Sequence, residues 1–243
     1  MTTSTPCSVA GKVDVIYPCH NRLDYTRITF PRVVHECKIS KVFNHLYVYD
    51  DASTDGTGEF LLEVLEHSGV PHTLYSAAIG NSTYQINRTV ELSETKYLYK
   101  VDNDILIARG MLQHLFDYME EHDDWAFTMA KQTDVFPCGI PTADPKWLHR
   151  SFIGGVGMFR RSVFDEMGTI KSSKRFFGFT DYQVQAQRKL GVRSVQVDTI
   201  TTLNLDLCPW WSRKEHYTKT GESRNMFGQV PGPFNNKYYV HHA

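Results

Sequence analysis

The chain has 243 residues, 41% of them hydrophobic, enough for one large or two small domains with a sizeable core. Lysine and arginine (26) nearly cancel aspartate and glutamate (27), and a net charge of −1 gives no general reason to bind nucleic acid. Five widely spaced cysteines (Cys7, Cys19, Cys37, Cys138, Cys208) contain no CxxC pair, which argues against a zinc site or a disulfide framework and for a reduced, cytoplasmic chain.

In chain order, "VDVIY" (13–17) predicts a short strand ending at Pro18, followed by "CHNR". Asp24 to about Lys38 reads as helical, with Pro31 kinking it or opening its main part. "HLYVY" (45–49) is a second strand closed by "DDASTDGTGE", and "FLLEVLEHSG" is a helix stopped by Gly69 and Pro71. "HTLYS" (72–76) is a third strand and "TYQINRTVELSE" a helix. Tyr97 to Val101 alternates into a fourth strand, followed by a helix near Gly110 to His122 and the strand "WAFTMA" (125–130). Beyond it, "CGIPTADPKW" reads as loop, "GGVGMFRRSVFDEMG" as a strand running into a short helix, and "FFGFTDYQVQAQRKLGV" as a loop and helix. The segment from Pro209 to about Phe234 has little periodicity and many turn formers, the composition of a lid closing over a bound ligand. The N-terminus lacks the pattern of a signal peptide, and no apolar run approaches the roughly 20 residues that span a bilayer.

This alternation predicts an α/β fold with a mostly parallel central sheet flanked by helices, and ligands bind such sheets beyond the carboxyl ends of the strands. Asn21, Asp50, Asp51, Asp102 and Asp104 all lie just past expected strand ends and so converge on one edge. In "VYDDASTDGT", turn formation and helix capping account for much of the pattern, but one carboxylate, Asp51, is placed to accept from a nucleobase N–H, with Asp50 structural. In "KVDND", two acids two residues apart repel unless a cation or a hydrogen-bonded ligand lies between them. A hard cation, Mn²⁺ or Mg²⁺, with one carboxylate on the metal and the other on a ribose, explains the pair.

The segments "VDVIYPCHNR", "YVYDDASTDGT", "GNSTYQINRT", "YLYKVDND" and "GGVGMFRRSVFDEMG" followed by "GFTDYQVQAQRKLGV" stand in the order seen in GT-A fold glycosyltransferases. The chain most resembles their inverting family 2 group, across roughly residues 12 to 200. The resemblance implies a nucleotide-sugar-binding half (12–130), an acceptor and catalytic half (131–208) and a C-terminal lid or tail (209–243). It implies a nucleotide-diphosphate sugar donor, a hydroxyl-bearing acceptor such as a glycan or glycoconjugate, and inversion at the transferred sugar. Asp181 matches the family's general base and Asp104 its metal-binding acid. Pro18, Asn21, Asp51, Arg88, Asp102, Asn103, Gly155 and Trp211 form the expected donor set, and His216 is a candidate second metal ligand, with His241 and His242 as competitors. Two departures stand out: the Glu that usually precedes the base is Thr180, and the usual N-x-G reads "GNS".

As an ordinary residue, Asp181 is a helix N-terminal carboxylate stabilised by about 0.3–1 kcal/mol. As the only acid between Lys171 and Arg193, among six basic residues, it is also the natural base for an acceptor hydroxyl. The same basic stretch leaves a modified nucleic-acid base open as acceptor. A sugar nucleotidyltransferase would open its first strand into a glycine-rich loop, where this chain has "YPCHNR". A non-catalytic nucleotide-sugar-binding module would need no separate base.

Overall fold

The computed structural model describes residues 12–133, 153–171, 178–205 and 239–242. Three apolar segments, β1 (Val13–Cys19), β2 (Phe43–Asp50) and β4 (Tyr97–Val101), make the centre of the sheet, β1 pairing in parallel with both neighbours. The strand β3 (His72–Ser76) extends it in parallel beyond β2. On the other side β7 (Val156–Arg160) lies antiparallel to β4, followed by β6 (Trp125–Thr133), β8 (Arg193–Asn204) and the short β5 (Ile105–Leu106). With β9 (Tyr239–His242) antiparallel on β3, the order in this nine-stranded sheet is β5-β8-β6-β7-β4-β1-β2-β3-β9.

Alternation along the central strands explains the layers. Val13, Val15 and Tyr17 of β1 and Tyr97, Tyr99 and Val101 of β4 point to one face, where they meet α1 (Leu23–Ile39), α2 (Thr57–Glu66) and α4 (Met111–Glu121) through Phe30, Leu61 and Leu115. Ile16 and Leu98 point to the other face, with Ile86 of α3 (Ser82–Leu92), Phe164 of α5 (Ser162–Met167) and Phe179 of α6 (Gly178–Leu190). Burying both faces is why these strands read as nearly continuous apolar runs. Among the described residues, no helix is long and apolar enough to cross a membrane.

The elements expected from sequence are present, and Pro31 lies inside one continuous helix α1. Two short strands, β5 and β9, and the long β8 were not expected. β8 mixes exposed, half-buried and buried positions without a regular alternation, so period-2 patterning does not reveal it. The strand β9 lies within the segment 209–243 expected as lid or tail. Its His241 and His242 stand opposite Leu74 and Thr73, not at the carboxyl end of β3. The expected lid from Pro209 to about Phe234 lies outside the described residues.

The glycines of "FIGGVGMF" divide into different roles. A Cβ on Gly157 would meet Ile153 Cγ1 at 2.6 Å and the Thr128 carbonyl oxygen at 2.8 Å, whereas one on Gly154 would meet nothing within 4 Å. Gly157 is therefore demanded by packing and Gly154 is not. Gly157→Ala is expected to lower unfolding free energy by about 1–3 kcal/mol through overpacking, and Gly154→Ala to change it by less than about 0.5 kcal/mol. Denaturant unfolding of both variants checks this, and equal losses would refute the division.

Candidate active site

The carboxyl ends of β1, β2 and β4 open onto a cavity of about 350 Å³. Pro18, Cys19, His20 and Arg22 line it after β1, and Asp51 after β2. Gly80 to Thr83 and Gln85 form another wall, Lys100 and Asp102 to Asp104 the floor, and Ile153, Gly154 and Gly178 to Thr180 the far side.

The loop after β1 is strained. Asn21 (φ 52°) and Arg22 (φ 67°) are consecutive left-handed non-glycine residues, and Ala52 (φ 52°) is a third in the facing loop. Such geometry costs about 1–2 kcal/mol per residue and persists only when its surroundings enforce it. The Asn21 N–H donates to Ser53 Oγ at 2.7 Å, Asn21 Oδ1 accepts from the Thr54 N–H at 2.8 Å, and Asn103 Nδ2 donates to the Asn21 carbonyl at 3.1 Å. Asp55 accepts from the Leu23 N–H at 2.9 Å and so fixes the first residue of α1. His20 Nδ1 lies 2.6 Å from the Asp51 carbonyl, which can only accept, so Nδ1 carries the proton and Nε2 accepts from Asn21 Nδ2 at 3.2 Å.

The two acids at the end of β2 differ in their surroundings. Asp50 is buried and structural, accepting from the Ser53 N–H at 3.1 Å and the Ser76 hydroxyl at 3.2 Å. Asp51 lines the cavity, and its carboxylate takes the Gly80 N–H at 2.7 and 2.8 Å on its two oxygens and the Ile79 N–H on one of them. It thereby shapes the loop of Ile79 and Gly80.

At the end of β4 each acid stands against a cation of the chain itself. Lys100, 4% exposed, donates from Nζ to Asp102 Oδ1 and, at 2.9 Å, to the Gly154 carbonyl. Arg22 Nη1 donates to Asp104 Oδ2 at 3.2 Å. The intervening Asn103 turns inward, where Nδ2 reaches Asn21 and also Thr26 Oγ1 at 3.3 Å. Among the described residues no three His, Cys, Asp or Glu side chains form a cation cage. Mg²⁺ and Mn²⁺ are commonly held by one or two carboxylates plus substrate phosphates, and the paired oxygens of Asp102 and Asp104 fit a cation arriving in that form.

The far wall is fixed from α6. The wholly buried Gln183 accepts from the Ile153 N–H at 2.8 Å and donates to the Ile153 carbonyl at 3.0 Å. This clamps the backbone beside Gly154 and, through Lys100, ties α6 to Asp102. Asp181, half-buried in the first turn of α6, does not line the cavity, whereas Thr180 does.

Of the expected donor residues, the fold brings Pro18, Asp51, Asp102 and Asn103 to the cavity, with Asp104 beside them. Asn21 and Gly155 lie just behind it. The Gly155 carbonyl accepts from the Asp102 N–H at 2.7 Å, and a Cβ there would meet Ile105 at 3.1 Å. Arg88 is not brought in and pairs with Glu91 at 3.1 Å on the surface of α3. Trp211 and His216 lie outside the described residues. Sequence reasoning missed Arg22, Lys100 and Gln183. For Arg22 and Lys100 the available signal was a basic residue within two positions of an expected strand-end acid or asparagine. Cys19 also lines the cavity, but burial, with Asp50, Asp51 and Asp55 nearby, pushes its thiol pKa well up, and it donates to the Tyr49 carbonyl at 3.3 Å. It is no nucleophile.

A family model described as "Glycosyl transferase family 2" matches residues 14–176. No curated protein matches the chain by sequence. Among solved structures, the mannosyltransferase PcManGT from Pyrobaculum calidifontis, in complex with GDP-Man and Mn²⁺, superposes with a TM-score of 0.64 at 15% identity over 91% of this chain. TarS of S. aureus gives 0.60 at 15% over 79%, and GalNAc-T7 with UDP, GalNAc and Mn²⁺ gives 0.60 at 12% over 79%. The chain spans 66%, 36% and 43% of those three proteins. At these identities the likeness establishes the shared fold.

Asp55 yields a pH-dependent expectation. Partial burial opposes its ionisation, but the Thr57 hydroxyl at 2.6 Å and the N–H groups of Leu23 and Thr57 outweigh burial and hold its pKa below the ordinary value. A folded-state pKa below the unfolded one adds stability that is complete above the unfolded value, about 3.9, and lost as pH falls through the folded value. The stability advantage of wild type over Asp55→Asn should therefore be constant at neutral pH and shrink only below about pH 4. Denaturant unfolding at several pH values tests this, and an advantage unchanged down to pH 2 would refute it.

Proposed function

Because the chain belongs to glycosyl transferase family 2, we propose that this cleft moves a sugar from a nucleoside-diphosphate sugar to an acceptor hydroxyl, inverting the anomeric carbon. The observation that carries this reading is the pair of strand-end acids, each set against a chain cation, in one cavity with Asp51. GDP-Man, UDP and UDP-GlcNAc in complexes of similarly folded proteins support the donor class, and Mn²⁺ in two of them supports a divalent cation.

In this mechanism Asp51 and its loop receive the base and Asp102 the ribose, and Asp104 would hold Mn²⁺ or Mg²⁺. The cation, when bound, withdraws charge from the departing diphosphate. Lys100 donates to Asp102 and aims it. Arg22, already in the cavity, provides a planar guanidinium for phosphate oxygens once Asp104 is engaged. Asp181 takes the proton of the acceptor hydroxyl as its oxygen attacks the anomeric carbon and the bond to the diphosphate oxygen breaks with its electron pair. Thr180, where the family usually has Glu, offers a neutral hydroxyl to the acceptor instead of a second charge. The acceptor is a hydroxyl of a glycan or glycoconjugate, and the free, buried thiols of Cys19 and Cys37 fit a reducing, cytoplasmic setting.

That Asp181 borders the cavity without lining it favours one competing reading, a donor-binding module without turnover. Two variants separate these. Asp104→Asn should remove the Mn²⁺-dependent part of the thermal stabilisation by nucleoside diphosphate, which for wild type is worth about 2.7 kcal/mol at a hundredfold excess over the dissociation constant. Asp181→Asn should bind donor normally while turnover falls about 10²-fold or more. Asn caps a helix about as well as Asp, so a folded Asp181→Asn protein with near-normal turnover would remove Asp181 as base.

A further inference from the structure

Gln85 sits in the first turn of α3 (Ser82–Leu92), a helix anchored by Asn81, whose side chain accepts from the Thr83 N–H at 2.9 Å. It lines the cavity, is only 2% exposed, and its Oε1 is buried without a hydrogen-bond partner among the described residues. Asp14, Glu36, Tyr99 and Trp125 also bury an unbonded polar atom, but none of them lines the cavity. Buried polar atoms are almost always bonded, and an apolar side chain of the same length would fill this place at no polar cost. A carboxamide oxygen buried without a partner in the wall of a cleft is a group that a bound ligand can satisfy.

We propose that Gln85 reads the donor: its Oε1 accepts a hydrogen bond from an N–H of the nucleobase or a hydroxyl of the transferred sugar. This rests on the donor reading above and adds a residue that selects among donors. A site with a buried acceptor discriminates against compounds that lack the matching donor, because the acceptor then stays unpaired.

The test measures thermal stability and binding of nucleoside diphosphates and nucleotide sugars, with Mn²⁺, for wild type, Gln85→Met and Gln85→Leu. The ligand-free variants should melt no lower than wild type, yet bind the preferred donor at least about tenfold more weakly. A loss already seen with the nucleoside diphosphate assigns the contact to the base, and a loss seen only with the nucleotide sugar assigns it to a sugar hydroxyl. A folded variant with wild-type affinity for every compound overturns the proposal, and Gln85→Ala serves if the larger substitutions do not fold. If wild type itself binds no nucleotide or nucleotide sugar, the donor reading falls and this inference falls with it. Wild-type binding with variant binding unchanged removes Gln85 alone.

Discussion

Two carboxylates separated by one residue at the mouth of a buried strand repel each other, and the site depends on how that repulsion is met. In this protein Lys100 stands against Asp102 and Arg22 against Asp104. Each cation offsets the repulsion that its acid would otherwise meet. Lys100 has the tighter role. It is almost wholly buried, so its charge is tolerable only because Asp102 and the Gly154 carbonyl accept from it. Through Gly154 and the Gln183 clamp on Ile153, this one ammonium links the floor of the cleft to helix α6.

Arg22 reaches Asp104 by a different route, through backbone strain. Two successive left-handed residues turn the chain after β1 so that the guanidinium enters the cavity instead of following the helix outward. The side chains of Asn21, Asn103 and Asp55 hold that turn, each with at least one hydrogen bond to backbone. Residues that look chemical in a strand-end motif are thus partly scaffold. Asn21 and Asn103 position the cations and acids that face the ligand, and Asp50 does the same for the loop after β2.

The cavity walls are held by hydrogen bonds inside the protein, including the wall of Gly80 to Thr83, whereas Gln85 Oε1 in that wall has no partner among the described residues. That contrast separates groups that build the cleft from a group that waits for a partner. The same distinction explains Cys19, which lines the cavity yet is spent on the Tyr49 carbonyl and kept protonated by burial.

Much of the fold was legible in the sequence. The central strands and their helices carry strong periodicity, and Asp51, Asp102 and Asp104 declare themselves because acids directly after apolar strands are costly unless used. The long β8 and the edge strands β5 and β9 were not legible, since their burial depends on what lies beside them and leaves no regular pattern. Arg88 illustrates the limit at the level of one side chain: its place on α3 is evident from sequence, but pairing with Glu91 three residues on carries it away from the cleft. Sequence by itself determined the central strands of the sheet, their converging ends and the acids on them, because those follow from local periodicity and turn chemistry. Only the tertiary structure decided which cation meets which acid, that Gln183 fixes the far wall and that Gln85 is left unbonded. Those pairings join residues up to 82 positions apart, and their geometry exists only once the strands have been brought side by side.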